Sequence, residues 1–399
     1  MSNTSESSYT GVNSILHVLE SGFPAVGGAE KQVATLSHYL NTKGIACTVV
    51  GPMVDMDFSS DKEFDSLGEI KIRRIKYPKI PLLGSVFLLL KLIFYIVLNR
   101  KKYDAIHIHI ANNMAAITCL VAAFLNKTTV VKFTGWQEIE NGVLNRNIQS
   151  VRIRFLRWCL YKANFYHAIS STIEEKLNDN HFAKDKIVRL PNAVDTERFV
   201  HVSASVEQLK DQYNLHNKLI GVYVGRFEKV KAVDSLIDAW KQHFGNREDV
   251  CLLLLGNGVL ENELRALVKK YGLEKSILFI GFKKDVENYL ALADFGVLPS
   301  EHEGLSNTLL EYFSASLPVI GSRVSGTEDI VTHQKTGWLF EPRNIPELVD
   351  RLKQVDELER EKLHQMGDDA LAWINQYAGL DSVCSRLVKL YKNKAGETV

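Results

Sequence analysis

The sequence predicts an α/β protein built of two doubly wound, Rossmann-like domains, each a parallel sheet with helices on both faces. Three observations predict it. Short apolar runs bounded by glycine alternate with amphipathic helical patterns along most of the chain. Several of these runs end in a glycine loop that opens a helix, the order in which backbone N–H groups cradle a phosphate. The length of 399 residues, 46% apolar and 24% charged, suffices for two cores.

Taken in order, the first thirteen residues are polar and Ser-rich, with no basic-then-apolar signal pattern, and read as a disordered tail. Ser14–Leu19 reads as a strand, followed by a loop carrying Gly27 and Gly28 and by the helical pattern Val33, Leu36, Leu40. On the residues alone this loop is either a phosphate cradle or a tight turn. Residues 45–50 form the next strand. Residues 82–98 are the most apolar stretch; Lys91 interrupts it, and it falls short of the roughly 20 residues that span a bilayer. Basic residues flank it, Lys71, Arg73, Arg74, Lys76 and Lys79 before and Arg100, Lys101 and Lys102 after. Two readings compete: a core helix, favoured because a crossover is needed before the next parallel strand, or a helix partly presented to an anionic membrane surface.

Ala105–His109 is a strand. His107 and His109 are read as pointing to opposite faces, which keeps them out of one site; His109, nearer the strand end, is the candidate pocket wall. Residues 129–133 form a strand leading into Thr134, Gly135, Trp136 and Glu138. A helix over 145–161 carries Arg152, Arg154 and Arg157, either a solvated basic face or a surface for an anionic acceptor or membrane. Strand, helix and strand follow at 165–168, 171–178 and 187–190. The polar region 200–217 holds the domain boundary.

The second half repeats the pattern more regularly. Leu219–Val224 ends in Gly225 and Arg226, with Lys231 opening the helix 232–242. Val250–Leu255 ends in Gly256, Asn257 and Gly258, and Ile277–Gly281 in Phe282. An apolar run at 294–299 is followed by Ser-Glu-His-Glu-Gly-Leu-Ser-Asn-Thr-Leu-Leu-Glu, residues 300–311, and by a helical pattern at Leu309, Leu310 and Phe313. This loop stands at the carboxyl end of a strand, where open α/β sheets bind ligands. Gly304 permits close approach. On spacing alone, Glu303 and Glu311 read as a solvated loop charge and a helix-surface charge.

The wider text, Glu303-Gly-Leu-Ser-Asn-Thr-Leu-Leu-Glu311, then Ser325-Gly-Thr-Glu-Asp-Ile-Val and Thr336-Gly-Trp-Leu-Phe, resembles the retaining nucleotide-sugar glycosyltransferases of family 4. The resemblance is strongest from 219 to 340. It implies the GT-B architecture, two facing Rossmann-like domains with a cleft that closes on the donor: an acceptor domain at 14–200, a donor domain at 201–375, and a last helix within 376–399 returning to the first domain. It implies that Arg226 and Lys231 stabilise the departing diphosphate and that Glu303 orients the sugar. Glu311 would bind the ribose, the loop at Phe282 the base, and Leu305, Ser306, Asn307 and Thr308 would offer N–H groups to the diphosphate. Gly225, Gly256 and Asn257 belong to the same donor side, and the Gly27–Gly28 loop approaches the diphosphate or the acceptor. Residues 191–195, Pro-Asn-Ala-Val-Asp, resemble the segment that closes the family's first domain. Thr134 stands where many members have an acceptor-side histidine, which puts that histidine's role in doubt here. Trp136 and Glu138 either shape the acceptor pocket or cap the loop.

A cation about 4 Å from the departing phosphate attracts it by on the order of 4 kcal/mol at an effective dielectric of 20, and only the part that grows as the bond breaks accelerates transfer. The expected protein is therefore a metal-independent enzyme that needs no cofactor beyond the nucleotide-sugar substrate. Its acceptor would be a saccharide or lipid-linked saccharide of cell-surface polysaccharide synthesis. Alternatives are an epimerase or phosphorylase on the same fold, or a non-catalytic partner in polysaccharide assembly. The combination of Arg226, Lys231, Glu303 and Glu311 speaks against the last. A net charge of +1 gives no sign of nucleic-acid binding. The five cysteines, scattered and without metal-ligand spacing, read as reduced core thiols of a cytoplasmic protein, peripherally membrane-associated if 82–98 meets lipid.

Overall fold

The computed structural model describes residues 9–24, 27–53, 64–81, 83–148, 150–200, 205–245 and 247–393. The chain divides into two compact units, Met1–Ala193 with Leu380–Val399, and Val194–Gly379.

In unit 1 the strands are β1 (Ser14–Leu19), β2 (Ala46–Pro52), β3 (Phe64–Leu67), β4 (Ile70–Ile75), β5 (Ala105–His109), β6 (Thr128–Phe133), β7 (Phe165–Ala168) and β8 (Ile187–Arg189). They form one sheet in the order β3-β4-β2-β1-β5-β6-β7-β8, parallel except for the β3–β4 pair. The helices are α1 (Gly28–Thr42), α2 (Leu83–Leu98), α3 (Asn113–Phe124), α4 (Trp136–Glu140), α5 (Val151–Leu160) and α6 (Ser171–Asp179). In unit 2, α7 (Glu197–Val200) and α8 (Ser205–Tyr213) precede β9 (Leu219–Val224), α9 (Val233–His243), β10 (Val250–Leu255), α10 (Glu261–Tyr271), β11 (Ile277–Gly281) and α11 (Val286–Leu290). After these come β12 (Phe295–Leu298), α12 (Asn307–Ser314), β13 (Val319–Ser322), α13 (Thr327–Ile330), β14 (Gly337–Phe340), α14 (Ile345–Asp356) and α15 (Arg360–Tyr377). The last helix, α16 (Leu380–Lys392), belongs to unit 1.

The sheet of unit 2 runs β11-β10-β9-β12-β13-β14, all parallel. Its strands are continuous apolar runs because both faces are covered by helices. The order of succession reverses between β9 and β12, a switch point of the kind at whose carboxyl ends open α/β sheets bind ligands.

Several expectations change. Residues 1–8 lie outside the described residues, but the tail reading fails over residues 9–13: Tyr9 and Val12 are buried, and the Tyr9 hydroxyl lies 3.0 Å from Asp381 Oδ1 of α16. The region read as a boundary contains α8, which packs against α11. Strands β3 and β4 and helix α3 were not legible beforehand, and the Arg-rich helix is confined to Val151–Leu160. The core-helix reading of 82–98 is also overturned. Helix α2 buries only Gly84, Leu92 and Ile96, while Leu83, Val86, Phe87, Leu90, Phe94 and Leu98 are exposed. It does cross over between β4 and β5, but it lies near the β3–β4 end of the sheet and packs chiefly beside α3, so a single stripe is covered.

Candidate functional site

The loops at the β9/β12 switch point carry most of the residues singled out in the second half. Helix α12 is fixed there by one aromatic side chain. The Tyr312 hydroxyl donates to Val222 O at 3.1 Å and accepts from Val224 N at 2.8 Å, continuing the hydrogen-bonding of β9 beyond its short pairing with β12. Its ring lies across Gly296, where a Cβ would fall 2.3 Å away. On its other side α12 packs against α15, with Phe313 edge-on to Trp373 at 6.4 Å. The α12 N-terminus, with Ser306 extended at its N-cap, therefore has a fixed position at the strand ends. A first helical turn has N–H groups without intrahelical acceptors, which suits an anion.

Lys231, in the turn after β9, forms an ion pair with Glu303, in the loop after β12; both are partly buried. Ser300 Oγ donates to Glu303 Oε1 at 3.2 Å. The two loops are joined by backbone as well, since Glu301 N donates to Val230 O at 2.8 Å. Arg343, which sequence reasoning missed, knits this junction: its guanidinium donates to Glu301, to Asp234 at 2.6 Å, to Ser235 Oγ at 3.0 Å and to Lys229 O at 3.1 Å. Arg226 is exposed and pairs with Glu228 at 2.6 Å. Tyr223 lies beneath both charges: its hydroxyl donates to Arg226 O at 3.0 Å, and burial, with Glu303 nearby, raises its pKa.

The glycine turns behave as a second layer. Gly256 has φ +137°, and a Cβ there would lie 1.9 Å from Gly225 O, so the β9 and β10 loops touch through bare backbone. Asn257 O accepts from Phe227 N at 2.8 Å. Phe282, just past β11, is half exposed, and Glu311 is buried on α12. Gly304 O accepts from Ser325 Oγ at 3.4 Å, next to Leu305.

In unit 1, Gly27 is the extended N-cap of α1, with Gly28 the first residue of the helix. Gln32 anchors the helix by accepting from Ala193 N at 3.0 Å and donating to Ala193 O at 2.8 Å. Glu138 is buried and accepts from Ala111 N at 3.1 Å, Thr134 N at 3.2 Å and Gly135 N at 2.6 Å. That is the geometry of a loop cap joining the ends of β5 and β6. Thr134 and Trp136 belong to this capped loop, Trp136 as the first residue of α4. Glu20, unnoticed in the sequence, directly follows β1 and accepts from Asn113 N and Met114 N at 3.2 and 3.3 Å at the start of α3. Burial raises its carboxyl to about 7, against the lowering effect of these bonds and of Arg152.

The reading of His107 and His109 as facing apart is wrong, because residues two apart on a strand share a face. Their rings lie 4.2 Å apart, in a row with His17, Lys132 and His167 from β1, β6 and β7. Helix α16 covers this face, and Tyr391 hydroxyl meets His107 Nδ1 at 2.7 Å. His109 is thus buried beneath the strand ends, 3.1 Å from His17 Nδ1, and does not form the pocket wall expected of it. Burial pushes His17 down to about 3 and Lys132 down to about 7. Lys132 Nζ has no hydrogen-bond partner among the described residues. His17, His107 and His109 place ligand nitrogens within 4.8 Å of one another, a donor set of the right type for a transition metal. The neighbouring Lys132 opposes a cation there. All five cysteines are buried and unpaired.

Comparison with known proteins agrees with this architecture. Residues 205–373 match the family model Glycosyl transferases group 1, and residues 26–198 match Glycosyltransferase Family 4. The N-acetylgalactosamine-N,N'-diacetylbacillosaminyl-diphospho-undecaprenol 4-alpha-N-acetylgalactosaminyltransferase of Campylobacter jejuni is 29% identical over 85% of this chain and 89% of its own. The N-acetyl-alpha-D-glucosaminyl L-malate synthase of Bacillus anthracis is 26% identical over 74% and 76%. Among solved structures, Anabaena HepE in complex with UDP superposes with a TM-score of 0.77 at 18% identity, over 94% of this chain and 98% of that one, a likeness of fold. The chain belongs to the family 4 glycosyltransferases, enzymes of GT-B fold that move a sugar from a nucleotide-sugar.

Proposed function

We propose that the donor sits at the β9/β12 switch point of unit 2 and that its sugar is transferred, with retention and without a metal, to a lipid-linked saccharide. The observation that carries this reading is the meeting of Lys231 and Glu303 beside the start of α12. In this reading the diphosphate replaces Glu303 as the partner of Lys231, Arg226 leaves its exposed pairing with Glu228 to join it, and the freed Glu303 turns to the sugar. Glu311 takes the ribose and Phe282 stacks on the base. The bond from the anomeric carbon to the phosphate oxygen breaks while the acceptor oxygen bonds to that carbon on the same face. The acceptor proton passes to the departing phosphate, so Thr134 is compatible with transfer. Arg226 and Lys231 supply the positive charge that a divalent ion would otherwise bring.

Donor and acceptor class are supported by relatives. HepE is described with UDP and with UDP-glucose. An Escherichia coli relative is a UDP-Gal:alpha-D-GlcNAc-diphosphoundecaprenol alpha-1,3-galactosyltransferase, 27% identical over 65% of this chain. The acceptor would accordingly be held at the cytoplasmic face of a membrane, with the enzyme in peripheral contact. Among the described residues no helix is long and apolar enough to cross one.

The test is a thermal-shift screen with UDP, GDP, ADP and their common sugars in EDTA, repeated on Lys231→Ala. A nucleotide-selective rise in Tm that the substitution weakens is expected. A folded protein that responds to none of them, or only with a divalent ion, overturns the donor site or its metal independence respectively.

A further inference from the structure

Helices α2, α3 and α5 lie side by side on unit 1, α3 packed against each of the other two. Their uncovered surface is unusually apolar. Phe94 is 66% exposed, Phe124 85%, Val151 82% and Trp158 48%, with Val86, Phe87, Leu90 and Phe155 also exposed. Scattered apolar side chains need no explanation, but a set of this size carried by adjoining helices marks a binding surface.

Charge says what binds there. Residues 70–173 contain 16 Lys and Arg against three Asp and Glu, in a chain whose net charge is +1. The cations Lys76, Lys79, Lys91, Arg100, Lys101 and Lys102 on and around α2, and Arg146, Arg152, Arg154 and Lys162 on and around α5, are all exposed. A second copy of this chain would bring one cationic rim against another. An anionic lipid leaflet satisfies both features, taking the aromatic and aliphatic side chains below its headgroups and the cations among its phosphates. At 16 residues α2 is about 24 Å long, short of the roughly 30 Å hydrocarbon core, so it suits lying in the interface rather than crossing it.

We propose that α2 and α5, with the exposed end of α3, form a docking surface for an anionic phospholipid bilayer. The inference deepens the reading of a lipid-linked acceptor and rests on it for its purpose, because docking brings unit 1 to the leaflet that carries such an acceptor.

The experiment is flotation of the full chain with vesicles of phosphatidylcholine alone and with about one-third phosphatidylglycerol, a proportion that makes the surface strongly anionic. Binding at least tenfold tighter to the anionic vesicles and weakened by salt is expected. Phe87→Glu with Phe94→Glu, and separately Lys101→Glu with Lys102→Glu, should each lower it at least tenfold. Quenching of tryptophan by brominated acyl chains should fall in Trp158→Phe. Failure to float, equal binding to both vesicles, or a dimer in gel filtration that Phe94→Glu dissociates would overturn the proposal. The nucleotide thermal shift, measured on the same variants, reports on unit 2. A lost shift with retained flotation condemns the donor reading alone, and the reverse condemns the docking surface alone.

Discussion

Replacing Gly296 by alanine tests whether the position of α12 depends on a ring lying against bare backbone. The new Cβ would fall 2.3 Å from Tyr312 Cδ2, 2.6 Å from Cε2 and 2.7 Å from Cγ. Carbon atoms settle at roughly 3.5–4.0 Å, so the ring must withdraw by about 1 Å. Tyr312 is fully buried, and its hydroxyl holds Val222 O and Val224 N. Overpacking costs about 1–3 kcal/mol and each weakened hydrogen bond about 1 kcal/mol, together roughly 3–5 kcal/mol. For a unit of this size that lowers Tm by roughly 10 °C. Because the start of α12 moves with the ring, nucleotide affinity should fall as well, and a displacement of about 1 Å can cost on the order of a hundredfold in turnover. Calorimetry and nucleotide titration read both effects. Tyr312→Ala in the same chain removes the clash, so the two losses should not add. A Tm within a degree of the parent, with unchanged nucleotide affinity, would refute the reasoning.

Other outcomes are expected from the site and from the buried basic row. Lys231→Ala should lower kcat about 30-fold, the equivalent of about 2 kcal/mol, if roughly half of the ~4 kcal/mol attraction grows during bond breaking; a rise in KM alone would show uniform binding instead. Lys231→Arg should recover part of the rate. Arg343→Ala should weaken nucleotide binding without touching nucleotide, by loosening Glu301 and Asp234; unchanged affinity would deny it a positioning role. Lys132→Met should stabilise the protein at pH 7. The depression of Lys132 from 10.5 to about 7 corresponds at most to about 5 kcal/mol. That penalty is complete below pH 7 and vanishes as pH rises to 10.5, so the gap between variant and parent in urea midpoint should close over that window. His17, neutral in the fold down to about 3 but with an ordinary value of 6.5, contributes in the same sense at lower pH. As pH falls from 6.5 towards 3 the unfolded chain takes up a proton that the folded chain refuses, so stability should drop. His17→Leu should flatten that drop in urea titrations at successive pH values.

The alternation of apolar runs with glycine loops and helical patterns was enough to establish two Rossmann-like units, because strand, turn and helix are each specified within a few residues. The same locality made the Gly225–Lys231 and 300–311 segments legible: each lies in the loop leaving one strand. That Lys231 and Glu303 are partners could not be read, since 72 positions separate them and only the reversal of strand order at β9/β12 brings them together. Arg343 was invisible for the same reason, its acceptors lying in three other loops and helices. The histidine row was visible as residues but misjudged as geometry; the two-residue repeat put His107 and His109 on one face, and α16, more than 270 positions away, decided that this face is buried. Composition identified 82–98 as apolar, yet only its place near the sheet edge determined that most of it stays uncovered. Local chemistry in the sequence therefore determined the elements and the motifs of the proposed donor site. Tertiary structure alone decided which charges meet, which histidines are sealed away, and which apolar helix faces outward, because each of these depends on contacts between segments that no local pattern encodes.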